Sequence, residues 1–402
     1  MAERGLSEEG LHRLHDTMVG HVDRGAMPGL VTLVARDGQV HVDVIGSPSF
    51  DDPRPLSRDA IFRIACLTKP ITAAAAMVLV EDRAFGLDSP VAEWLPELAE
   101  PRVLRSLESE LDDTVPAKRA ITVEDLLTFR LGFGLVMGLA DATPIRSAEA
   151  ELQLTTLGPP WPPSPHTSDS WMRSFGSLPL LCQPGEQWHY NTGAQVLGVL
   201  VERAAGCPLG EFMAERLFGP LGMVDTDFSV PTEKLDWLTT AYAPDPVTGA
   251  PGVLDGVEDS WWAHPPAMAN GAAWLVSTID DFGAFVRMLE GGGRVNGVRI
   301  LCEESVHQMT TDHLNAEQRA AHRLFLGEEG GWGYGMRVPA SGGAGSGVPG
   351  GFGWDGGAGT SWRTDPATGL TGILFTQRAM TSPELPQVAV DFWVGAYGAL
   401  SD

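Results

Sequence analysis

The chain has 402 residues, with 27 Lys and Arg against 52 Asp and Glu for a formal net charge of −25; 43% of residues are hydrophobic and 20% are charged. This composition is globular rather than disordered, and the length exceeds the roughly 250–300 residues at which a single core stops growing, so two lobes are expected. A charge of this sign repels phosphate backbones and anionic bilayers, which argues against nucleic-acid and membrane partners.

The N-terminus brings acidic residues early and has no continuous apolar run, so no secretory signal is expected and the protein is placed in the cytoplasm. Across residues 6–23, Leu11, Leu14, Met18 and Val22 recur at three- and four-residue steps, which predicts a surface helix with one buried stripe. His12 and His15 share a face of that helix with no third ligand nearby, so a solvated face is expected there rather than a metal. Next, Leu30–Val34 and Val40–Val44 flank Asp37-Gly38, a dipeptide suited to a tight hairpin. Ile61–Ala65 reads as a short strand. It runs into helical spacing at Ile71, Ala74, Ala75, Val78 and Leu79, with a stop at Gly86. The most apolar stretch, Ile71 to Val80, is about half of the roughly 20 residues a membrane span needs.

Thr122 with Asp125 forms a capping-box-like pair ahead of Leu126-Leu127. Residues 157–166 are proline-rich and are expected to form a semi-rigid loop; Trp161, Trp171, Trp261 and Trp262 are read either as walls of a cleft or, at least as readily, as core residues. Helices are expected at about 193–205, 208–217 and 278–290. Trp332, Tyr334, Met336 and Val338 alternate within a glycine-dense stretch and predict a strand followed by a loop. Residues 360–364 and 371–376 flank Asp365–Gly369 as a second hairpin, and Val388–Leu400 closes the chain as a helix. Strands thus cluster at both ends and helices in the middle. One sheet assembled from both termini, with a helical lobe inserted, is the economical arrangement.

Chemistry concentrates at Cys66-Leu67-Thr68-Lys69, where the strand hands over to the helix. Lys69 lies on the same helical face as Cys66, and both a helix N-terminus and an adjacent ammonium favour thiolate, the nucleophilic form. Only three lysines (Lys69, Lys118, Lys234) occur against 24 arginines. A lysine in such a chain suggests a proton that can be removed, which arginine does not offer. Tyr190 closes a Pro-Gly loop just before a helix, where a phenol can hold or relay a proton. Trp354-Asp355-Gly356-Gly357 ends in glycines that let a backbone amide approach a ligand and act as an oxyanion donor. The four cysteines (Cys66, Cys182, Cys207, Cys302) form no CxxC pair and no cluster with histidine, so free thiols and no metal or other cofactor are expected.

In order and spacing these segments resemble the serine β-lactamase and penicillin-binding-protein superfamily, in the branch of class C β-lactamases and β-lactamase-like (family VIII) esterases. Phe62–Pro70 is similar to the first motif of that family, Asp125–Thr128 to its following helix, Tyr190-Asn191-Thr192 to its tyrosine motif and Trp354-Asp355-Gly356 to its third motif. The resemblance implies an α+β, β-lactamase-like fold: an antiparallel sheet built from both termini (1–90 and 270–402), flanked by helices, with a mostly helical lobe (91–269) inserted. It implies that position 66 attacks an acyl carbonyl while Lys69 and Tyr190 manage protons. The amides of Cys66 and Gly357 would form the oxyanion hole, and Trp354, Asp355, Gly356, Asn191 and Thr192 would border the substrate.

Three departures stand out. The family's nucleophile is serine in Ser-x-x-Lys, whereas this chain has Cys66; the tyrosine motif normally ends in Asn, whereas position 192 is Thr; and Trp354 replaces the usual cation of the third motif, which disfavours penicillin as substrate. A thioester is attacked by amines far more readily than by water, so transfer from a small acyl donor to a small amine or alcohol becomes attractive. Two other readings stay open: an esterase-like hydrolase whose serine has been replaced by cysteine, and a ligand-binding protein on the same scaffold. The sequence does not indicate an oligomeric state.

Overall fold

The structure is a computed structural model, described for residues 5–154, 163–340 and 351–401. Its organising element is a seven-stranded sheet made of β1 (Gly29–Arg36), β2 (Gln39–Gly46), β3 (Gly330–Trp332), β4 (Arg337–Pro339), β5 (Phe352–Gly356), β6 (Thr360–Asp365) and β7 (Leu370–Thr376). The spatial order is β3-β4-β5-β6-β7-β1-β2, with every neighbouring pair antiparallel. The N- and C-terminal parts of the chain therefore meet at the β7–β1 ladder, where Ile373 opposes Leu33. Both predicted hairpins form. At the first, Asp37 and Gly38 take φ of 47° and 86°, the positive values a two-residue turn demands.

Strand alternation divides two cores. Leu30 and Val34 of β1, with Leu370 and Leu374 of β7, face α1 (Glu8–Asp23) and the closing helix, Gln387–Gly398, through Leu14, Met18, Phe392 and Trp393. Val31, Leu33, Ile373 and Phe375 face the larger core on the other side of the sheet. His15 on α1 bonds Asp43 of β2 at 2.7 Å.

The larger core contains α2 (Thr68–Glu81), in which every residue from Thr68 to Leu79 is buried. The sequence spacing suggested one apolar stripe. The run Ile71-Thr72-Ala73-Ala74-Ala75-Ala76-Met77-Val78-Leu79 instead carries no charge on any side, and such a helix can be enclosed all round. Pro70 falls in the first turn, where its missing N–H costs no intrahelical bond.

Residues 91–269 include α3 (Thr192–Ala205) and several shorter helices, alongside the short ladders Arg102–Leu104 with Thr114–Pro116 and Ala241–Pro244 with Pro251–Asp255. The Thr122–Asp125 capping box is present. Later in the chain come α4 (Ile279–Glu290), α5 (Arg323–Leu326) and α6, the closing helix already placed.

One expectation is corrected. The alternating Trp332–Val338 segment is a tight hairpin of β3 and β4 rather than one strand, because Gly335 takes a positive φ of 74° and turns the chain. Of the two readings of the tryptophans, Trp171 and Trp262 take the core one, stacked on Phe175 and Trp274 respectively. Trp161 and residues 341–350 lie outside the described residues, as does most of the proline-rich segment. Among the described residues no helix is long and apolar enough to cross a membrane.

Candidate active site

Cys66 sits in a 3-10 turn, Ala65–Leu67, that feeds α2. Ala65 immediately before it has φ of 44°, an unfavourable value for a residue with a Cβ. The turn is held from several sides: Ile64 N–H donates to Leu275 O at 3.0 Å, Thr360 Oγ1 donates to Ile64 O at 3.0 Å, and Leu275 N–H donates to Thr68 Oγ1 at 3.1 Å. Gly356 makes this approach possible. A Cβ there would stand 2.5 Å from Ile64 O and 3.5 Å from the Cys66 nitrogen, so only glycine lets the end of β5 run alongside the thiol.

Lys69 follows one turn later and is fully buried. Its Nζ donates to Ala272 O at 2.8 Å and lies 4.5 Å from the centre of the Tyr190 ring. Gly271 brings that carbonyl within reach, because a Cβ there would meet Ala194 O at 2.8 Å and the Thr72 methyl at 2.9 Å.

Tyr190 arrives from the opposite side, on the segment before α3. Asn191, with φ 83° and ψ −60°, forms a γ-turn in which Thr192 N–H bonds back to Tyr190 O at 3.2 Å. This rare turn swings the phenol toward Cys66. The Trp354 Nε1–H donates to Tyr190 Oη at 2.8 Å. An indole nitrogen can only donate, so the hydroxyl hydrogen of Tyr190 is left free to point at the sulfur.

The three groups meet at the sulfur. The Lys69 charge, the Tyr190 hydroxyl and the Gly357 backbone N–H all act on the Cys66 sulfur, and each favours its thiolate. Burial pushes the thiol up, but the Lys69 charge, the Tyr190 hydroxyl, the Gly357 amide and the Lys69 hydrogen bond outweigh it and hold Cys66 below an ordinary thiol. Burial pulls Lys69 below an ordinary amine, opposed by the sulfur. Burial, followed by the negative sulfur, holds Tyr190 well above an ordinary phenol. The pattern gives an activated thiol, an amine able to accept a proton and a phenol that stays protonated at neutral pH.

Around Tyr190 stands an aromatic wall of Phe129, Trp188, Trp332, Trp354 and Phe325, with ring centres 5.0–6.3 Å away. A histidine–thiol contact elsewhere in the described residues lacks this activation. Cys182 Sγ lies 4.0 Å from His189 Nδ1, but burial pushes that thiol up to about 12, and burial with the nearby His322 pushes His189 down to about 4. Among the described residues no group of three or more His, Cys, Asp or Glu is placed to hold a metal ion.

The remaining expected residues have these places. Asp355 turns to the face of β5 opposite Trp354, where its carboxylate accepts from Arg363 at 2.7 Å and from Ser361 at 2.5 Å, and its charge still acts on Tyr190. Asn191 and Thr192 are fully buried and shape the backbone at Tyr190. Gly356 provides clearance, whereas Gly357 offers its amide. Sequence reasoning missed Ala272 O, the Trp354–Tyr190 hydrogen bond and Phe325. A backbone carbonyl and a contact across 135 residues leave no local signature.

Comparison with known proteins gives the family and the fold. The family profile described as Beta-lactamase matches residues 14–389. Protein Rv1367c of Mycobacterium tuberculosis is 38% identical over 389 residues, spanning 92% of this chain and 89% of that protein. Esterase EstB of Burkholderia gladioli is 29% identical over 378 residues, spanning 87% of this chain and 86% of EstB. The solved structure of EstCE1, described as a hydrolase with promiscuous acyltransferase activity, superposes with a TM-score of 0.77 at 23% identity, covering 97% of this chain and 99% of EstCE1. With the profile spanning nearly its whole length over an antiparallel sheet flanked by helices, the chain belongs to the beta-lactamase family, and its fold is β-lactamase-like.

Proposed function

We propose that the protein carries an acyl group on Cys66 as a thioester, taking it from an ester or amide donor and passing it to a small amine or alcohol, or to water. Within its family the chain is an acyltransferase or an ester or amide hydrolase acting on small molecules. The finer assignment rests on one observation: an amine, a phenol and a backbone amide all converge on the Cys66 sulfur.

The chemistry follows from that convergence. The thiolate attacks the acyl carbon and the C–S bond forms. The carbonyl oxygen becomes negative and is met by the N–H groups of Cys66 and Gly357. The bond to the leaving group then breaks, and that group departs with a proton from the Lys69–Tyr190 pair. In the second half the acceptor's nitrogen or oxygen attacks the thioester, gives its proton to the same pair, and the C–S bond breaks to restore the thiolate. Trp354 aligns the phenol throughout, and Asn191 and Thr192 hold its backbone.

Cys66, Lys69 and Gly357 belong to the lobe of residues 1–90 and 270–402, and Tyr190 to the lobe of residues 91–269, so the chemistry sits where the two lobes meet. All four cysteines are unpaired, which supports a reducing compartment such as the cytoplasm.

The test is steady-state turnover of p-nitrophenyl butyrate by the wild type and by Cys66→Ala. Loss of all but a tenth of the activity is expected. Retained turnover above that level would remove Cys66 from the mechanism.

A further inference from the structure

Of the five rings around Tyr190, four are buried: Phe129 and Trp354 are 1% and 6% exposed, and Trp188 and Trp332 are fully enclosed. Phe325 differs. It is half-buried, it packs against the core from the four-residue helix α5, and its neighbour Leu324 is 48% exposed. Its ring stacks on the phenol with centres 5.0 Å apart and planes 26° from parallel, the most nearly parallel of the ring contacts to Tyr190. It also touches Trp188 at 5.8 Å. Phe325 therefore stands between the proton-handling phenol and solvent, on a segment 135 residues distant in sequence.

We propose that Phe325 is a positioning residue that keeps water off the Tyr190 face and thereby sets how much of the acyl group goes to an acceptor and how much to hydrolysis. The inference rests on the thioester reading above. Once the thioester has formed, two nucleophiles compete for it. An amine forms a C–N bond, water forms a C–O bond; in either case the C–S bond breaks, and the proton leaves through Tyr190 and Lys69. Water needs access to the phenol to be deprotonated there. A stacked apolar ring denies it that position, while an acceptor carrying its own apolar group can pack against the ring.

Removing the ring admits water to a phenol that burial keeps above its ordinary range, so that group should fall toward the ordinary phenol value. The alkaline limb of the pH-rate profile then moves to lower pH. A merely structural loss lowers total turnover and leaves both product ratio and profile unchanged.

The experiment compares wild type, Phe325→Ala and Phe325→Leu with p-nitrophenyl butyrate as donor and butylamine as acceptor. Released p-nitrophenol counts total turnover, chromatography separates N-butylbutanamide from butyric acid, and intact mass monitors a butyryl group on Cys66. The amide-to-acid ratio of Phe325→Ala is expected to fall at least fivefold, with its alkaline limb shifted to lower pH. Leu keeps an apolar side chain but not the stacked plane, so its ratio should lie about twofold below that of the wild type, which keeps the role testable if the alanine variant fails to fold. A butyryl adduct with an unchanged ratio in both variants overturns the role of Phe325 alone. A wild type that never carries the adduct overturns the thioester reading, and this inference with it.

Discussion

The Trp354 indole donates to the Tyr190 phenol oxygen at 2.8 Å, which leaves the phenol's own hydrogen for another acceptor. With one lone pair of the phenol taken up, its hydroxyl hydrogen is directed to Cys66. The residue that replaces a cation in the third motif thus acts on the tyrosine. Trp354→Phe keeps the ring and deletes the donor. A hydrogen bond of this kind is worth about 1 kcal/mol net, so kcat for p-nitrophenyl butyrate is expected to fall roughly fivefold to tenfold. An unchanged kcat would show that the phenol is held by packing alone.

Lys69 is the main influence opposing the burial of the Cys66 thiol. Lys69→Met preserves the length of the side chain and removes its charge, leaving only the Tyr190 hydroxyl and the Gly357 amide to oppose burial. The midpoint of Cys66 alkylation by iodoacetamide, followed against pH, should lie below 9 in the wild type and move up in the variant. Ester turnover should drop by about 100-fold with the loss of acid–base assistance. A midpoint that stays in place would mean that Lys69 does not sense the sulfur.

The γ-turn at Asn191 predicts a pattern in stability. Glycine adopts a φ near 83° without cost, whereas a β-branched residue there is strained by about 1–3 kcal/mol. Asn191→Val should therefore melt well below Asn191→Gly. Equal melting temperatures for the two would show that the turn relaxes when its residue changes.

Restoring the family's serine offers a further check. Cys66→Ser makes an oxoester, which amines attack less readily than a thioester, and the shorter C–O bond changes where the carbonyl meets the Gly357 amide. With butylamine present, the amide-to-acid product ratio should fall well below that of the wild type. A ratio that is maintained would mean that sulfur is not what favours transfer.

Much of this was legible in the sequence, and the gaps have physical reasons. Asp37-Gly38 and Asp365–Gly369 announced their hairpins because turn chemistry is local. Cys66 and Lys69 share a helix face by spacing alone. The enclosure of α2 could not be read from its periodicity, since it depends on the elements that arrive from elsewhere. Asp355 looked like a site residue because it lies within the motif; strand alternation and Arg363 turn it away. Ala272 and Phe325 had no signal, because a backbone carbonyl has no residue identity and an aromatic in a short helix resembles any packing residue.

The account's central claim is that an acyl group rests on the Cys66 sulfur, and intact-mass measurement with peptide mapping tests it most directly. After rapid mixing with p-nitrophenyl butyrate and an acid quench, one butyryl group should appear on the peptide containing Cys66, and it should vanish when butylamine is added before the quench. A chain that turns over the ester while Cys66 remains unmodified, or that carries the butyryl group on Cys182, Cys207 or Cys302 instead, would contradict it.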